Sequence, residues 1–435
     1  MNTTVSSFLM KHNFVNHIDV LALAQGILDD MRRGLKKEPS DQDMIRTFCN
    51  PPKNTAKNQS VIVIDAGGTN FRSCLVTFDA NGEPSISDME KTRMPGVEKE
   101  LSRKDFFEQI ASNLEHLKNK ADRIGFCFSY PMEIQTDGDG ILLGFSKEVK
   151  APEVIGSKVG ECLKAALAEH GWNTIKRVTM CNDTTSALLA GAATAGDIHR
   201  YSSYIGYILG TGMNAAYLQP DIRHCEERSD VEIQKQIIVC ESGKYKNINR
   251  SDFDIEFDKT TVKPGSFYLE KQCSGAYLGP VSTIILQTAA KEGIFSAKMN
   301  EALLKLEPLT LIEMDKFLHG PFNKDCSLGK LACEIATEDD LDMLYQLLDA
   351  VVERSARCSA AILTACAIQT GAGKNAANPL CILCNGTTFY KTWMVRERTA
   401  AYLDEILTNK LGIHWEIVSA ENDITLGTAI SGLIE

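Results

Sequence analysis

The sequence predicts an α/β protein of two lobes facing a shared cleft, and three observations carry that expectation. β-Branched runs alternate with segments of helical period from about residue 60 onward, the pattern of sheets covered by helices. A strand–glycine turn–strand device occurs twice, at Asp65-Ala66-Gly67-Gly68-Thr69-Asn70 and at Gly210-Thr211-Gly212-Met213-Asn214. No sequence repeat, low-complexity tract or long linker divides the 435 residues into independent domains.

In chain order, Ser7–Met31 places Leu9, Phe14, Ile18, Leu21, Ile27 and Met31 at roughly helical spacing, which predicts one long amphipathic helix. Glu38–Gln59 is polar, holds Pro39, Pro51 and Pro52, and reads as a connector. Ser60–Asp65 and Ser73–Phe78 are expected strands around the first glycine turn, and Asp79-Ala80-Asn81-Gly82 leads into another strand ending near Met94. Phe106–Leu117 reads as helix, Arg123–Ser129 as strand, Val154–His170 as helix, Thr174–Met180 as strand and Thr184–Thr194 as helix. Ser203–Leu209 and Asn214–Gln219 flank the second glycine turn. The period is helical over Phe267–Lys291, Ile312–Leu318 and Asp339–Ile368. Leu380–Leu383 (strand), Tyr390–Leu407 (helix), Ile413–Val418 (strand) and Thr425–Ile434 (helix) follow.

Composition excludes several classes. The chain has 44% hydrophobic and 24% charged residues, which is ordinary globular usage. A net charge of −11 argues against a nucleic-acid partner, because phosphate binding needs clustered cations. No apolar run reaches the ~18–20 residues that cross a bilayer, so no membrane partner is expected. Met1–Asn13 lacks the basic-then-apolar layout of a secretory signal. The 14 cysteines lie in apolar contexts and read as reduced thiols of a cytoplasmic protein. Cys381 and Cys384 form a C-x-x-C, but a strand would point the two thiols to opposite faces.

Some apparent motifs fail on their mechanics. Gly371-Ala372-Gly373-Lys374-Asn375 lacks the first glycine and the Mg²⁺-holding Ser/Thr of a phosphate-wrapping P-loop. Gly210-Thr211-Gly212 is followed by strand-like sequence, not by the helix of a dinucleotide site. The eight histidines show no metal-ligand spacing. What remains is a set of polar residues at strand ends. Asp183, in Cys181-Asn182-Asp183-Thr184, stands where a strand gives way to a small-residue helix. It fits either a helix N-cap or a base beside a substrate-orienting amide. Ser129 ends another strand, Ser146 and Lys147 follow it, and Glu241 and Glu270 are carboxylates with no assignment by themselves. Glycine tips beside Thr hydroxyls make small anion cradles.

Read in order, these pieces resemble the hexokinase family of ATP-dependent sugar kinases, within the sugar kinase/Hsp70/actin (ribonuclease H-like) superfamily. Asp65-Ala66-Gly67-Gly68-Thr69-Asn70-Phe71-Arg72 differs from the family's first phosphate motif only at Ala66. Phe128-Ser129-Tyr130-Pro131 is similar to its Phe-Ser-Phe-Pro, Phe145-Ser146-Lys147 to Trp-Thr-Lys, and Asn182-Asp183-Thr184 matches Asn-Asp-Thr. Gly210-Thr211-Gly212-Met213-Asn214-Ala215 matches the second phosphate motif. Glu270 and Ser274-Gly275-Ala276-Tyr277-Leu278-Gly279 resemble Glu-Lys-x-x-Ser-Gly-x-Tyr-Leu-Gly. Asn385-Gly386-Thr387-Thr388-Phe389-Tyr390-Lys391 looks like the adenosine-site Asp-Gly-Ser-x-Tyr-Lys.

The resemblance implies transfer of the ATP γ-phosphoryl group to the 6-hydroxyl of a hexose, glucose foremost. Asp183 would be general base and Lys147 would stabilise the transferred group. Ser129, Ser146, Lys147, Asn182, Asn214, Glu241 and Glu270 would bind the sugar. Asp65, Gly67, Gly68, Thr69, Asn70, Arg72, Gly210, Thr211, Gly212, Gly386, Thr387 and Gly427 would form the nucleotide side, with Asp65 holding Mg²⁺ through water. It further implies a smaller lobe of residues 58–182 plus 421–435 and a larger one of 1–57 plus 183–420, in a monomer or homodimer. Three departures stand out. Val239-Cys240-Glu241-Ser242-Gly243 replaces Asn-Thr-Glu-Trp-Gly, Asn385 replaces the nucleotide-site Asp, and Asn422-Asp423-Ile424-Thr425-Leu426-Gly427 replaces Asp-Gly-Ser-Gly-Lys-Gly. These bear on sugar preference and phosphoryl donor. The competing expectation is a sugar-binding or regulatory protein with weak or no turnover, and an actin- or Hsp70-like ATPase would have no use for the Ser129/Asn182/Glu270 set.

Overall fold

The computed structural model describes residues 2–54, 56–145, 149–194, 200–221 and 234–434. The strands are β1 (Ile45–Arg46), β2 (Gln59–Gly67), β3 (Asn70–Phe78), β4 (Pro84–Arg93), β5 (Arg123–Phe128), β6 (Met132–Ile134), β7 (Gly140–Leu142), β8 (Arg177–Cys181), β9 (Ser203–Leu209), β10 (Met213–Gln219), β11 (Gln236–Val239), β12 (Leu380–Asn385) and β13 (Trp415–Val418). Among the described residues they form one sheet in the order β4-β3-β2-β5-β8, a second in the order β1-β11-β10-β9-β12-β13, and the β6–β7 hairpin.

The two sheets repeat one plan that no sequence repeat announces. In each, three strands run as an antiparallel meander whose first turn is the glycine turn, and two parallel strands extend the sheet from the first of them. Each parallel series ends in a helix, 183–194 after β8 and 423–433 after β13, and the helices are exchanged. Helix 183–194 packs on β9 and β12, while helix 423–433 packs on β2, β5 and β8. Glycines make these contacts close. A Cβ at Gly125 of β5 would lie 2.1 Å from the Thr428 carbonyl, and one at Gly206 of β9 would lie 2.5 Å from the Thr184 carbonyl. The two helices cross at Gly427, where a Cβ would come 1.8 Å from the Ser186 carbonyl. The result is a two-lobed α/β fold whose parallel strands bring their carboxyl ends to one cleft, the place where such sheets bind ligands.

Three expected elements are broken in the structure. The leading helix is two, Thr3–Lys11 and Val20–Leu35. Asn2 and Asp19 side chains cap their starts, and Asn13 at φ +57 turns the chain between them. Phe267–Lys291 divides into 268–273 and 275–291 at Ser274, an extended residue. Tyr390–Leu407 divides into 387–391, 395–403 and a wide-turned segment 404–410. Cys381 and Cys384 lie on β12 and join different apolar cores, in line with opposite-face pointing.

Candidate active site

The first glycine turn is a two-residue reversal between β2 and β3, with Gly67 opposite Asn70 and Gly68 at φ +57. That dihedral, not lack of space, calls for glycine at position 68, since a Cβ there would meet nothing within 4 Å. Gly67 has the opposite reason: its absent Cβ would sit 3.0 Å from Ser129 Cβ, so the end of β5 closes against the turn. Asp65 stands beside Arg72 across the hairpin, with Arg72 Nη1 donating to Asp65 Oδ2 at 2.9 Å.

Protein groups hold the second turn from behind. The Gly275 and Ala276 amides donate to the Gly210 and Thr211 carbonyls at 2.8 and 3.1 Å, and Thr388 Oγ1 donates to the Gly210 carbonyl at 2.8 Å. This explains the break at Ser274, because a continuous helix would have kept those amides. Among the described residues no acceptor takes the amides of Thr211 and Gly212, which leaves them for an anion. Gly386, at φ +114, lies behind this turn, where a Cβ would be 2.2 Å from the Leu209 carbonyl and 2.9 Å from the Gly210 amide nitrogen.

Helix 183–194 starts at the cleft. Its cap is Asn182, whose Oδ1 accepts from the Thr185 amide at 2.8 Å, so Asp183 is not the cap that its position allowed. Asp183 is instead the first helical residue, with Oδ1 accepting from the Thr184 amide at 2.7 Å and from Thr184 Oγ1 at 3.2 Å. Burial pushes its carboxyl above the ordinary range, and the charge of Asp65 adds to the rise.

The other two carboxylates are placed by backbone strain and by glycine. Glu241 sits at φ +56, and its Oε1 accepts from Asn214 Nδ2 at 2.6 Å, while Asn214 Oδ1 accepts from the Glu241 and Ala215 amides. Glu270 lies between two glycines. A Cβ at Gly212 would lie 2.9 Å from its Oε2, and one at Gly243 would lie 3.0 Å from its Cβ. The Met213 amide donates to Glu270 Oε2 at 3.0 Å and Tyr277 Oη to Oε1 at 3.3 Å. Burial raises both carboxyls above their ordinary range.

A cleft of about 1000 Å³ gathers Ser129, Asn182, Asp183, Asn214, Glu241, Glu270 and the Gly210-Thr211-Gly212 turn. Asp65, Gly67, Gly68, Thr69, Asn70 and Arg72 lie outside its lining, at the β2–β3 end that abuts Ser129, and Gly386 and Thr387 stand behind Gly210. Ser146 and Lys147 lie outside the described residues. Gly427 is buried inside helix 423–433 at the crossing with Ser186, so a packing contact accounts for that glycine. The departure at Asn385 has a local partner: its Nδ2 donates to both Asp423 carboxylate oxygens, at 2.7 and 2.6 Å. An aspartate at 385 would have faced Asp423 as a like charge.

The cleft also recruits residues that no motif flagged: Arg46, Thr47, Lys244, Lys263 and Phe267. Phe267 takes φ +58, with the Lys244 and Lys263 ammonium groups 6.0 and 5.6 Å from its ring centroid. Only the fold brings them there. A signal existed for Lys244 in its closeness to Glu241, but none for Arg46 or Thr47, which reach the cleft through the β1–β11 pairing. Among the described residues no cluster of histidine, cysteine or carboxylate side chains could by itself hold a metal ion. No helix of the described residues is long and apolar enough to cross a membrane.

Comparison with known proteins places this geometry. Two family models described as hexokinase match residues 8–193 and 204–434. Hexokinase-1 of Schizosaccharomyces pombe is 27% identical over 431 residues, covering 94% of this chain and 86% of that protein. Glucokinase-1 of Kluyveromyces lactis is 28% identical over 391 residues, covering 80% of this chain and 81% of that protein. The fold is shared with a hexokinase from Schistosoma mansoni solved in complex with glucose, at TM-score 0.74, 21% identity and 99% coverage of both chains. A further crystal structure of a hexokinase aligns at TM-score 0.80 with 19% identity, again over 99% of both chains. With both halves of the sequence matched in order, and with the cleft built where that order put it, the chain belongs to the hexokinase family.

Proposed function

We propose that this chain is an ATP-dependent hexokinase, transferring the γ-phosphoryl group to the 6-hydroxyl of a hexose, with glucose the first candidate and Asp183 the general base. One observation carries the reading. A carboxylate whose basicity is raised by burial stands at the end of β8, in the same cleft as Asn182, Asn214, Glu241, Glu270 and Ser129.

Each group has a task suited to its chemistry. Asp183 keeps one oxygen on Thr184, so the other is free to accept the 6-hydroxyl proton as that oxygen attacks. Glu241 and Glu270 accept from vicinal sugar hydroxyls while their protein partners fix their angles, and Asn182 and Ser129 orient the ring. The glycine turns offer amides to the phosphates. The residues present fit a Mg²⁺–ATP complex: Asp65 is an oxygen donor whose charge Asp183 feels, the hard-ligand chemistry Mg²⁺ prefers. When bound, Mg²⁺ supplies neutralisation of phosphate charge. Lys147 would stabilise the transferred group. The two lobes, assigned as residues 58–182 plus 421–435 and 1–57 plus 183–420, would close over the sugar and exclude water. A cytoplasmic location accords with the acidic composition and buried thiols.

The test is hexose-dependent ADP formation by purified protein with Mg²⁺–ATP, across glucose, mannose and fructose. Saturable turnover with at least one hexose is expected, and silence across the panel overturns the reading. Two further outcomes follow. Glu270→Gln should raise KM for the sugar on the order of tenfold or more, since a hydrogen bond to a charged group contributes about 1.5–3 kcal/mol, and should leave KM for ATP unchanged. Because the base acts ionised and its pKa is raised, kcat/KM should fall with acidification through a value above the ordinary carboxylate range. A profile flat down to the ordinary aspartate range contradicts that assignment.

A further inference from the structure

We infer that Cys127 and Cys181 form a peroxide-sensitive dithiol whose closure to a disulfide displaces the strand ends carrying Ser129 and Asn182–Asp183. The two residues are direct partners in the parallel pairing of β5 with β8, so their side chains leave the same face of the sheet. Neighbouring strands bring Cα atoms to roughly 5 Å, inside the span of about 4.4–6.8 Å that a disulfide bridges. The Cys181 thiol also donates to the carbonyl of Phe126, the residue next to Cys127, at 3.8 Å.

Access and reactivity are divided between them. Cys127 is fully buried, whereas Cys181 contributes to the wall of the cleft, so a small oxidant reaches Cys181 first. Cys181 Sγ lies 3.3 Å from Ser186 Oγ, which is 2.9 Å from Thr428 Oγ1. With these hydroxyls beside it and the cleft in front of it, Cys181 is the thiol placed to react first. The Cys181 thiolate attacks one oxygen of hydrogen peroxide; the S–O bond forms, the O–O bond breaks, and hydroxide leaves and is protonated to water. Cys127 then gives up its proton and attacks the sulfenic sulfur; the S–S bond forms, the S–O bond breaks, and a second water departs. Both thiols are oxidised and the peroxide is reduced.

A disulfide here replaces the Cys181–Ser186 contact at the start of helix 183–194 and draws β5 and β8 together one residue before Asn182 and two before Ser129. A competing partner exists in Cys49, which also lines the cleft, belongs to the segment bonded to β11, and has its thiol pushed up to about 12 by burial. Cys127 is the partner favoured here, because the β5–β8 register fixes it opposite Cys181.

The experiment treats the full chain with hydrogen peroxide at near-equimolar ratio, blocks remaining thiols, and maps peptides by mass without reduction. The expected product joins the Cys127 and Cys181 peptides with loss of both thiol hydrogens, and dithiothreitol reverses it. Cys127→Ser, which leaves basal activity unchanged, should give no such product and leave Cys181 trappable as a sulfenic acid. A Cys49–Cys181 link, or untouched thiols at 127 and 181, overturns the inference. The effect on catalysis rests on the proposed kinase reading. Oxidised protein should lose turnover on the order of 100-fold, and unchanged turnover with the link formed refutes the displacement. The mass readout stands even if no hexose is phosphorylated, so the two failures are distinguishable.

Discussion

Replacing Asp183 with Asn is expected to lower kcat about 10²–10⁴-fold, the range that removal of a positioned general base covers, while leaving the fold intact. The amide keeps the oxygen that accepts from the Thr184 amide and hydroxyl, and the Asn182 cap is untouched, so the start of helix 183–194 keeps its orientation. What is lost is the capacity to take a proton. The same change should raise Tm. A carboxyl whose folded pKa is raised binds its proton more tightly in the folded chain, so its stabilising protonated form is lost as pH climbs from the unfolded value through the folded one. Above that window the ionised group costs stability, and a neutral amide relieves the cost. Stopped-flow phosphorylation and thermal melts at neutral pH measure both effects. Full turnover in the variant removes Asp183 from the role of base, and a lowered Tm contradicts the account of its burial.

Gly386→Ala carries the second large effect. The backbone at 386 has φ +114, outside the range that residues with a Cβ adopt cheaply, and the added carbon would sit 2.2 Å from the Leu209 carbonyl. Strain of this kind costs about 1–3 kcal/mol, and overpacking against backbone about as much again. Any relief must move the Gly210-Thr211-Gly212 turn, because the same carbon would stand 2.9 Å from the Gly210 amide nitrogen. Lower thermal stability and a raised KM for ATP are therefore expected together, with KM for the hexose less affected. A variant with wild-type Tm and KM for ATP contradicts the coupling of this glycine to the turn.

The contrast between these two positions shows what the sequence could carry. The place of Asp183 at the cleft was legible because a strand-to-helix junction is a local feature. The two glycine turns were legible for the same reason, since each is a hairpin whose register is set within a few residues. The exchange of helices 183–194 and 423–433 between the sheets was not legible in periodicity; the assignment of 421–435 to the smaller lobe and of 183–420 to the larger came only from the family resemblance. Each helix carries an ordinary apolar face, and nothing in periodicity says which sheet will receive it. β11 is not legible because four residues, Gln236–Val239, give too little alternation to weigh against a buried helix segment. The division at Ser274 was hidden because Phe267–Lys291 keeps its helical period across the break. Only the bonds from Gly275 and Ala276 to the second turn reveal why the chain stops and restarts there. Lys263 and Phe267 meet Lys244 at the cleft through tertiary placement, and of the three only Lys244 stands near a candidate residue, Glu241, in the sequence.

The destination of the phosphoryl group is the decisive observable. Incubation of the full chain with Mg²⁺–ATP and ¹³C-labelled glucose, followed by NMR of the sugar, reads the product directly. The predicted result is phosphorylation at the 6-hydroxyl, one ADP per sugar phosphate, with the rate collapsed in Asp183→Asn. ADP released without sugar phosphate, or phosphorylation at another hydroxyl, would contradict it.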